Sequence, residues 1–397
     1  MTRYTLLTIL VLSILSCTRQ QSNPTTYTPS PTIASFSPEA ANIGAEITIR
    51  GENFSWDHSG NKVKFGNIDA PVIGSTTDWV KVNVPVGATT GRISVIVNGK
   101  TATSGYDFVL ATGTWSQKVS FPAGSRQDPD GFLIDGKIYV LGGLSSSGYK
   151  KDLWEYNPAT SAWTPKAAFP GEARYYGLAM TIGNKGYFGL GSQSITTLQN
   201  DFWEYDPAID QWTRKADYPS SSVVNSIGFG FNAVGFVGLG STGTPTSAST
   251  ELWMFTPATN SWVRKADFPG SNGRGTSACT DQSRGYVLFG TSEQCWQYDP
   301  ATNQWSQFTR FDGTFRESAI AFVLNGKIYA GLGEAWYALA DFWEYDPQQN
   351  TWTRKADFVA GTGVGLGFIS GNGKAVILTS EYDWETVDAG QIWEFTP

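Results

Sequence analysis

The sequence is poor in histidine, cysteine and charge. His58 is the single histidine in 397 residues, and it lies in a polar loop at residues 55–60. Histidine-rich metal sites and a Ser-His-Asp triad are therefore excluded. Charged residues make up 16% of the chain and the formal net charge is −7, which argues against nucleic-acid binding, because that requires a basic surface.

Aromatic residues and glycine are abundant by contrast. Aromatic residues reach 14% of the chain and there are 44 glycines, a composition typical of short strands joined by tight turns. The chain has enough apolar surface to bury a core, which excludes a disordered protein. Its length predicts two or three domains.

The first 17 residues are typical of an export signal. Arg3 precedes an apolar run at residues 6–15, which is about half as long as a membrane-spanning helix. The run ends in Ile14-Leu15-Ser16-Cys17, which resembles a bacterial lipobox and makes Cys17 the expected lipidation site; an ordinary signal peptide that contains a cysteine is the alternative. Residues 18–30 have the composition of an extended tether. We therefore expect a membrane-anchored lipoprotein of the cell envelope, on the outer membrane or surface of a Gram-negative bacterium.

Residues 31–110 alternate apolar and polar side chains in about seven short runs that are broken by glycine and proline. This pattern predicts an immunoglobulin-like β-sandwich without a disulfide. The segment closely resembles the IPT/TIG family in these residues: Ile33, Phe36-Ser37-Pro38, Gly44, Ile47-Thr48-Ile49, Gly51, Asn53-Phe54, Val84-Pro85 and Gly91-Arg92-Ile93. The resemblance implies a spacer or a contact module rather than a catalyst.

Residues 111–397 contain one motif six times. Its first tryptophans are spaced 49, 50, 43, 47 and 50 residues apart: Trp154, Trp203, Trp253, Trp296, Trp343 and Trp393. In five copies a second tryptophan follows nine residues later, whereas the sixth copy ends at Pro397. The missing half stands at residues 111–115, which end in Trp115. The sequence therefore predicts a ring that is closed by its N-terminal strand.

A second signature precedes each first tryptophan, and its clearest copies are residues 136–143 and 326–333. Together the two signatures resemble the kelch repeat family across residues 111–397, although only the first copy has the family's Gly-Gly pair. With about 48 residues in each repeat, we expect an all-β chain in which the sandwich is followed by a six-bladed kelch β-propeller. Kelch propellers include the central domain of galactose oxidase, whose copper chemistry needs histidines and is excluded here.

Function is expected in the parts that do not repeat. The loops between the second and third strands of each blade vary most in length. They lie on the same face of the propeller as the loops that lead into each first strand. Four aromatic residues there belong to no repeat column: Trp336, Tyr337, Tyr382 and Trp384. They could stack on a sugar, anchor a protein or cover their own blade. Charged residues before the first strands form a second candidate set, either structural or able to hold a carboxylate or sulfate: Arg126, Arg174, Arg274, Arg316 and Glu317.

The interpretation that we prefer at this point is a tethered binding protein whose loop face captures a glycan or a protein, without catalysis. One alternative is an enzyme that resembles the kelch sialic-acid mutarotase and uses Arg174, Arg316 and Glu317. Another is a purely structural envelope protein. We expect a monomer without metal or cofactor, attached to the membrane only through its lipid. Cys279 and Cys295 fall on first and third strands of one blade, too far apart for a disulfide, so both are expected to be free buried thiols.

Overall fold

The computed structural model describes residues 29–193, 197–220, 223–241, 248–270, 275–281, 283–290, 292–359, 364–370, 373–380 and 390–397. The predicted signal, Cys17 and most of the predicted tether lie outside these ranges. The described strands before residue 111 are β1 (Thr32–Ser37), β2 (Ala40–Ala41), β3 (Glu46–Glu52), β4 (Asn61–Phe65), β5 (Ile68–Ala70), β6 (Val72–Ser75), β7 (Trp79–Asn83), β8 (Ile93–Val97), β9 (Lys100–Thr103) and β10 (Val109–Leu110). A single 3-10 turn, His58–Gly60, precedes β4.

These strands form two facing antiparallel sheets, ordered β1-β3-β7-β6 and β5-β4-β8-β9, and a short parallel pair, β10-β2. The period-two pattern of the sequence explains the packing, because alternate residues of each strand point into the space between the sheets. Ile47 and Ile49 of β3, for example, are buried with Val80 and Val82 of β7 in one core. The predicted immunoglobulin-like sandwich is confirmed.

The rest of the chain is also made of short strands. They are β11 (Thr114–Gln117), β12 (Asp130–Ile134), β13 (Lys137–Leu141), β14 (Leu144–Ser145), β15 (Gly148–Tyr149), β16 (Leu153–Asn157), β17 (Ala162–Lys166), β18 (Leu178–Ile182), β19 (Lys185–Gly189), β20 (Phe202–Asp206), β21 (Gln211–Arg214), β22 (Ile227–Gly230), β23 (Gly235–Gly238), β24 (Leu252–Thr256), β25 (Ser261–Arg264), β26 (Thr276–Thr280), β27 (Gly285–Phe289), β28 (Gln294–Asp299), β29 (Gln304–Arg310), β30 (Ile320–Leu324), β31 (Lys327–Gly331), β32 (Phe342–Asp346), β33 (Thr351–Lys355), β34 (Val364–Ser370), β35 (Lys374–Ser380) and β36 (Ile392–Thr396).

In the described ranges these strands pair into four-stranded antiparallel sheets, which we call blades. Blades one to five are β12-β13-β16-β17, β18-β19-β20-β21, β22-β23-β24-β25, β26-β27-β28-β29 and β30-β31-β32-β33, and blade six is β11-β36-β35-β34. The first strands contact one another in the cyclic order β12, β18, β22, β26, β30 and β34, and β34 also contacts β12. They therefore surround a central channel, and the expected all-β, propeller-like fold is confirmed.

The repeated tryptophans fasten neighbouring blades together. In blades two, three and four the indole N–H of the second tryptophan donates to a backbone carbonyl of the preceding blade: Trp212 to Ala167 (2.9 Å), Trp262 to Ala216 (2.9 Å) and Trp305 to Ala266 (3.0 Å). Trp115 donates in the same way to Ala356 (3.0 Å). The side chain on β11 therefore occupies the place that a second tryptophan has in the other blades.

The departure from the Gly-Gly pair is also explained by backbone geometry. The first position of the pair has a positive φ in five copies, and non-glycine residues hold it at Leu190 (56°), Leu239 (58°), Phe289 (65°) and Leu332 (57°). The second position is more restricted in blade one, because a Cβ on Gly143 would lie 2.7 Å from the carbonyl oxygen of Gln127. The second glycine of blade one is therefore required by space.

One buried carboxylate joins the sandwich to blade five. Asp357 accepts hydrogen bonds from the backbone N–H groups of Glu39 and Ala40, both at 2.9 Å, and from the Arg354 guanidinium at 3.0 Å. Burial raises the pKa of Asp357 to about 6, although Arg354 acts in the opposite direction. Cavities of about 580 and 910 Å³ flank this junction.

Cys279 and Cys295 are free and buried, as predicted, and burial raises the pKa of each thiol. In the part of the chain that the structure describes, no helix has the length and apolarity to cross a membrane.

Candidate functional site

Three of the predicted arginines are buried and are held by their own blades. The guanidinium of Arg126 donates to both carboxylate oxygens of Asp152, at 2.8 and 2.7 Å, and to the Gly142 carbonyl. Arg174 and Arg316 make the same contacts with Asp201 and Asp341. All three guanidinium groups also lie over phenylalanine rings, at Phe121, Phe169 and Phe311.

These ion pairs give the arginines an architectural role. Burial by itself would raise the pKa of Asp201, but the Arg174 guanidinium lowers it below its ordinary value, so the pair is ionised. Each aspartate also accepts the indole N–H of the first tryptophan of its blade, as Asp201 does from Trp203 at 2.8 Å. Blade three has the buried Val223 in place of the arginine. A guanidinium that is committed in this way is not presented to a ligand.

The other predicted site residues are dispersed. Trp336 is fully exposed, and Tyr337 lines the junction cavity of about 580 Å³ rather than the channel mouth. The backbone of Glu317 pairs with Glu334, and its side chain packs beside Gly275 at the channel mouth. The remaining three predicted residues, Arg274, Tyr382 and Trp384, lie outside the described ranges.

The carboxylates that recur after the first tryptophans are hydrogen-bonding fixtures, as the sequence predicts. Glu155 accepts from the Tyr139 hydroxyl at 2.8 Å and pairs with Lys137 at the same distance. Equivalent tyrosine contacts occur at Glu204 and Glu344. These glutamates hold adjacent strands of a blade together and do not line the channel mouth.

The channel mouth itself is a cavity of about 210 Å³ that is built from equivalent positions of successive blades. In blades one, two, three and five a short β-bridge is followed by one residue with a positive φ, and the first strand begins just beyond it. The residues with this backbone conformation are Asp128 (42°), Tyr176 (51°), Asn225 (52°), Gly275 (66°) and Ser318 (54°). Such strain is costly for side chains other than glycine and is concentrated at functional sites. The same backbone geometry therefore presents a different side chain from each of these blades.

Blade one contributes two carboxyl groups to this cavity. Asp128 accepts a hydrogen bond from the Tyr176 hydroxyl, and Asp130 accepts one from the backbone N–H of Gly177. The Oδ2 atom of Asp130 is buried without a hydrogen-bond partner among the described residues. A Cβ on Gly177 would lie 2.7 Å from that oxygen and 2.5 Å from the Phe188 ring, so only glycine fits there.

Both carboxyl groups hold protons more tightly than ordinary aspartates do. Loss of hydration raises the pKa of Asp130 to about 8, and the neighbouring charge of Asp128 acts in the same direction. Loss of hydration also raises the pKa of Asp128 to about 7, against the opposing effect of the Tyr176 hydrogen bond. Near neutral pH the pair therefore contains one protonated and one ionised carboxyl, which is the arrangement that acid–base catalysis needs. Among the described residues, no cluster of three metal-ligating side chains is present.

The sequence analysis missed this pair, although a signal was present. Asp130 occupies a repeat position at which other blades have buried residues, namely Leu178, Ile227, Ser277 and Ile320. A carboxylate in a core column is costly unless it has a function.

Comparisons with known proteins agree with the fold and bear on the function. Residues 31–110 match the IPT/TIG domain family and residues 133–170 match the Kelch motif family. An 80-residue segment is 32% identical to N-acetylneuraminate epimerase of Pasteurella multocida, covering 19% of this chain and 21% of that protein. A 54-residue segment is 35% identical to the N-acetylneuraminate epimerase of Haemophilus influenzae, covering 12% and 14%.

A third curated relative is the Kelch-like protein terF of Aspergillus terreus, 35% identical over 80 residues, with 18% of this chain and 17% of that protein covered. The chain thus spans about a fifth or less of the length of the curated relatives it matches. The solved structure of YjhT superposes with a TM-score of 0.56 at 16% identity, over 69% of this chain and 95% of the other. That likeness concerns the fold alone.

These comparisons correct the sequence-based interpretation of function. We expected a binding protein without catalysis, and this expectation is wrong, because several of the matched relatives bear the name of an epimerase. The enzyme alternative is the better supported one. Of the residues that it invoked, Arg174 and Arg316 are held in ion pairs, whereas the Glu317 side chain lies beside Gly275 at the channel mouth.

Proposed function

We propose that this chain, which carries an IPT/TIG domain and a kelch motif, is an enzyme that interconverts the anomers of a sugar at the mouth of its propeller channel. The observation that carries the proposal is the carboxyl pair of Asp128 and Asp130, one protonated and one ionised near neutral pH. The epimerase relatives support the same class of reaction.

Anomer interconversion needs only proton transfers to and from the sugar. In the ring-opening step the ionised Asp128 takes the proton of the anomeric hydroxyl, while Asp130 donates its proton to the ring oxygen. The bond between the anomeric carbon and the ring oxygen breaks, and a carbonyl group forms at that carbon. Rotation about the adjacent carbon–carbon bond and reversal of the two proton transfers then close the ring in the other configuration.

The surroundings assign these two roles. Asp128 accepts the Tyr176 hydrogen bond, which stabilises its ionised form and makes it the base. Asp130 has an unpartnered Oδ2, and burial raises its pKa and so favours the protonated form, which makes it the acid. No redox change occurs, so the reaction requires neither an oxidant nor a reductant.

Anomer exchange measured by nuclear magnetic resonance tests the proposal. Magnetisation transfer between the α and β anomers of D-galactose, N-acetyl-D-glucosamine and N-acetylneuraminate is recorded at pH 7.5 with and without the chain. We expect acceleration that is proportional to enzyme concentration for at least one sugar. Exchange at the uncatalysed rate for all three sugars, with a folded protein, would contradict the proposal.

We also propose that the chain is a lipoprotein anchored through Cys17, because the residues before it resemble a lipobox and a tether follows. Expression of the full chain in Escherichia coli with labelled palmitate should give a labelled, membrane-associated protein. Cys17→Ser should abolish the label, because the acylated thiol is lost, whereas Cys279→Ser should leave it unchanged. Equal labelling of both variants would rule out lipidation at Cys17.

A further inference from the structure

Two hydroxyl groups at the channel mouth lack hydrogen-bond partners. Ser226 and Thr276 both line the 210 Å³ cavity, and the Oγ of Ser226 and the Oγ1 of Thr276 are buried without a partner in the described part of the chain. A buried hydroxyl that is left unpaired costs about 1–3 kcal/mol. Such groups are normally satisfied, so two of them beside one cavity indicate that a ligand completes their hydrogen bonds.

These hydroxyls are not part of the repeat. Ser226 and Thr276 each follow the residue with positive φ in their blade, and the equivalent residues of the other described blades are Pro129, Gly177, Ala319 and Gly365. None of the equivalents has a hydroxyl. The polar atoms are therefore specific to blades three and four, where β22 and β26 are in contact.

Their position is also opposite the carboxyl pair. In the cyclic order of first strands, β22 and β26 lie two and three steps from β12, the strand that begins with Asp130. Asn225 adds an amide beside Ser226 on the same cavity wall. A molecule that fills the cavity can thus contact the carboxyl groups on one side and neutral donors and acceptors on the other.

The charge around the cavity disfavours an anion. Asp128 and Asp130 line it directly, the charge of Glu334 further raises the pKa of Asp128, and the Glu317 side chain packs against Gly275 of the wall. A carboxylate brought into this site meets charges of its own sign in a poorly hydrated space. Neutral hydroxyl groups, in contrast, can donate to carboxylates and accept from Ser226 and Thr276.

From this juxtaposition we propose that Ser226 and Thr276 form the recognition wall of the site and bind the hydroxyl groups of an uncharged sugar. The inference rests on the proposed function, because it names the substrate class of the same site. We therefore expect the site to bind D-galactose and N-acetyl-D-glucosamine more tightly than N-acetylneuraminate.

The test is binding of these three sugars to the full chain, measured by calorimetry at pH 7.5. At least one neutral sugar should bind ten or more times tighter than N-acetylneuraminate. Ser226→Ala/Thr276→Val should weaken that binding about tenfold, since each hydroxyl supplies a hydrogen bond. The melting temperature of this double variant should be equal to or above that of the wild type, because the unpaired hydroxyls are removed. Thr276→Ser keeps the hydroxyl and should bind like the wild type.

Thr259→Val/Ser261→Ala is the matched control, because it removes the same two side-chain types from an exposed turn and should not change binding. Unchanged sugar binding in the wall variant would overturn the inference. The inference would also be overturned if N-acetylneuraminate bound more tightly than the neutral sugars and this binding were lost in Arg274→Ala. That result would show that Arg274 binds the carboxylate of the sugar. Failure of the proposed function can be distinguished from failure of this inference. If a neutral sugar binds through Ser226 and Thr276 but its anomers are not exchanged, the proposed catalysis is refuted and the proposed sugar binding is not.

Discussion

Asp130→Asn should lower kcat for anomer exchange by about 10²- to 10³-fold with little change in sugar binding. The amide is nearly isosteric with the protonated carboxyl, so it preserves the contact with Gly177, but it cannot donate a proton to the ring oxygen. General acid catalysis contributes about 10²- to 10⁴-fold to such steps. The rates are measured by magnetisation transfer at saturating sugar, and binding is measured separately by calorimetry.

The same variant has a second expected effect on stability. The folded-state pKa of Asp130, about 8, lies above the ordinary aspartate value of 3.8, so the native protein holds an additional proton between these two pH values. The stability contributed by that proton is lost as the pH rises through 8, when a poorly hydrated carboxylate must form. At pH 9 Asp130→Asn should therefore melt at or above the temperature of the wild type. A gain in stability with a loss of rate indicates a functional residue rather than a structural one.

Asp135→Asn is the matched control, because Asp135 is an exposed aspartate in the turn at the other end of β12. It should change neither the rate nor the high-pH stability. Wild-type rates in Asp130→Asn, or a marked fall in its melting temperature at pH 9, would contradict the role that we assign to Asp130.

Arg174→Met should destabilise the folded protein by about 3–5 kcal/mol. The Arg174 side chain is fully buried, and its removal leaves Asp201 without its guanidinium in a poorly hydrated place. The loss is measured by denaturant unfolding. The double variant Arg174→Met/Asp201→Asn should recover part of the stability, because no uncompensated charge then remains.

The control for this prediction is an ion pair on the surface. Arg214 pairs with Asp217 at 3.0 Å, but its side chain is 57% exposed, so Arg214→Met should cost less than about 1 kcal/mol. Equal effects of the two arginine variants would show that the Arg174 pair is not architectural. It would then again be a candidate for ligand binding.

The propeller could be predicted from the sequence because its packing repeats. Each blade needs large aromatic side chains at the same two places, so Trp203 and Trp212 recur in register in the other blades, and Trp115 marks the strand that joins the last one.

The candidate site could not be predicted in the same way, because it consists of departures from the repeat. The repeated arginines gave the stronger sequence signal, yet the structure holds Arg126, Arg174 and Arg316 in ion pairs. The positive φ values that present Asp128 and Asn225 depend on bridges to other loops, which no local pattern encodes. A comparison of equivalent positions across blades would have identified Asp130.

The most direct test of the account is the pH dependence of anomer exchange. Catalysis requires Asp128 ionised and Asp130 protonated, and their pKa values are raised to about 7 and about 8. The rate of the wild type should therefore peak between pH 7 and 8 and fall about tenfold per pH unit on either side. In Asp130→Asn the residual rate should lose the descending limb above pH 8. A wild-type rate that is flat from pH 5 to 9, or that titrates near pH 4, would contradict the claim that this carboxyl pair is the catalytic centre.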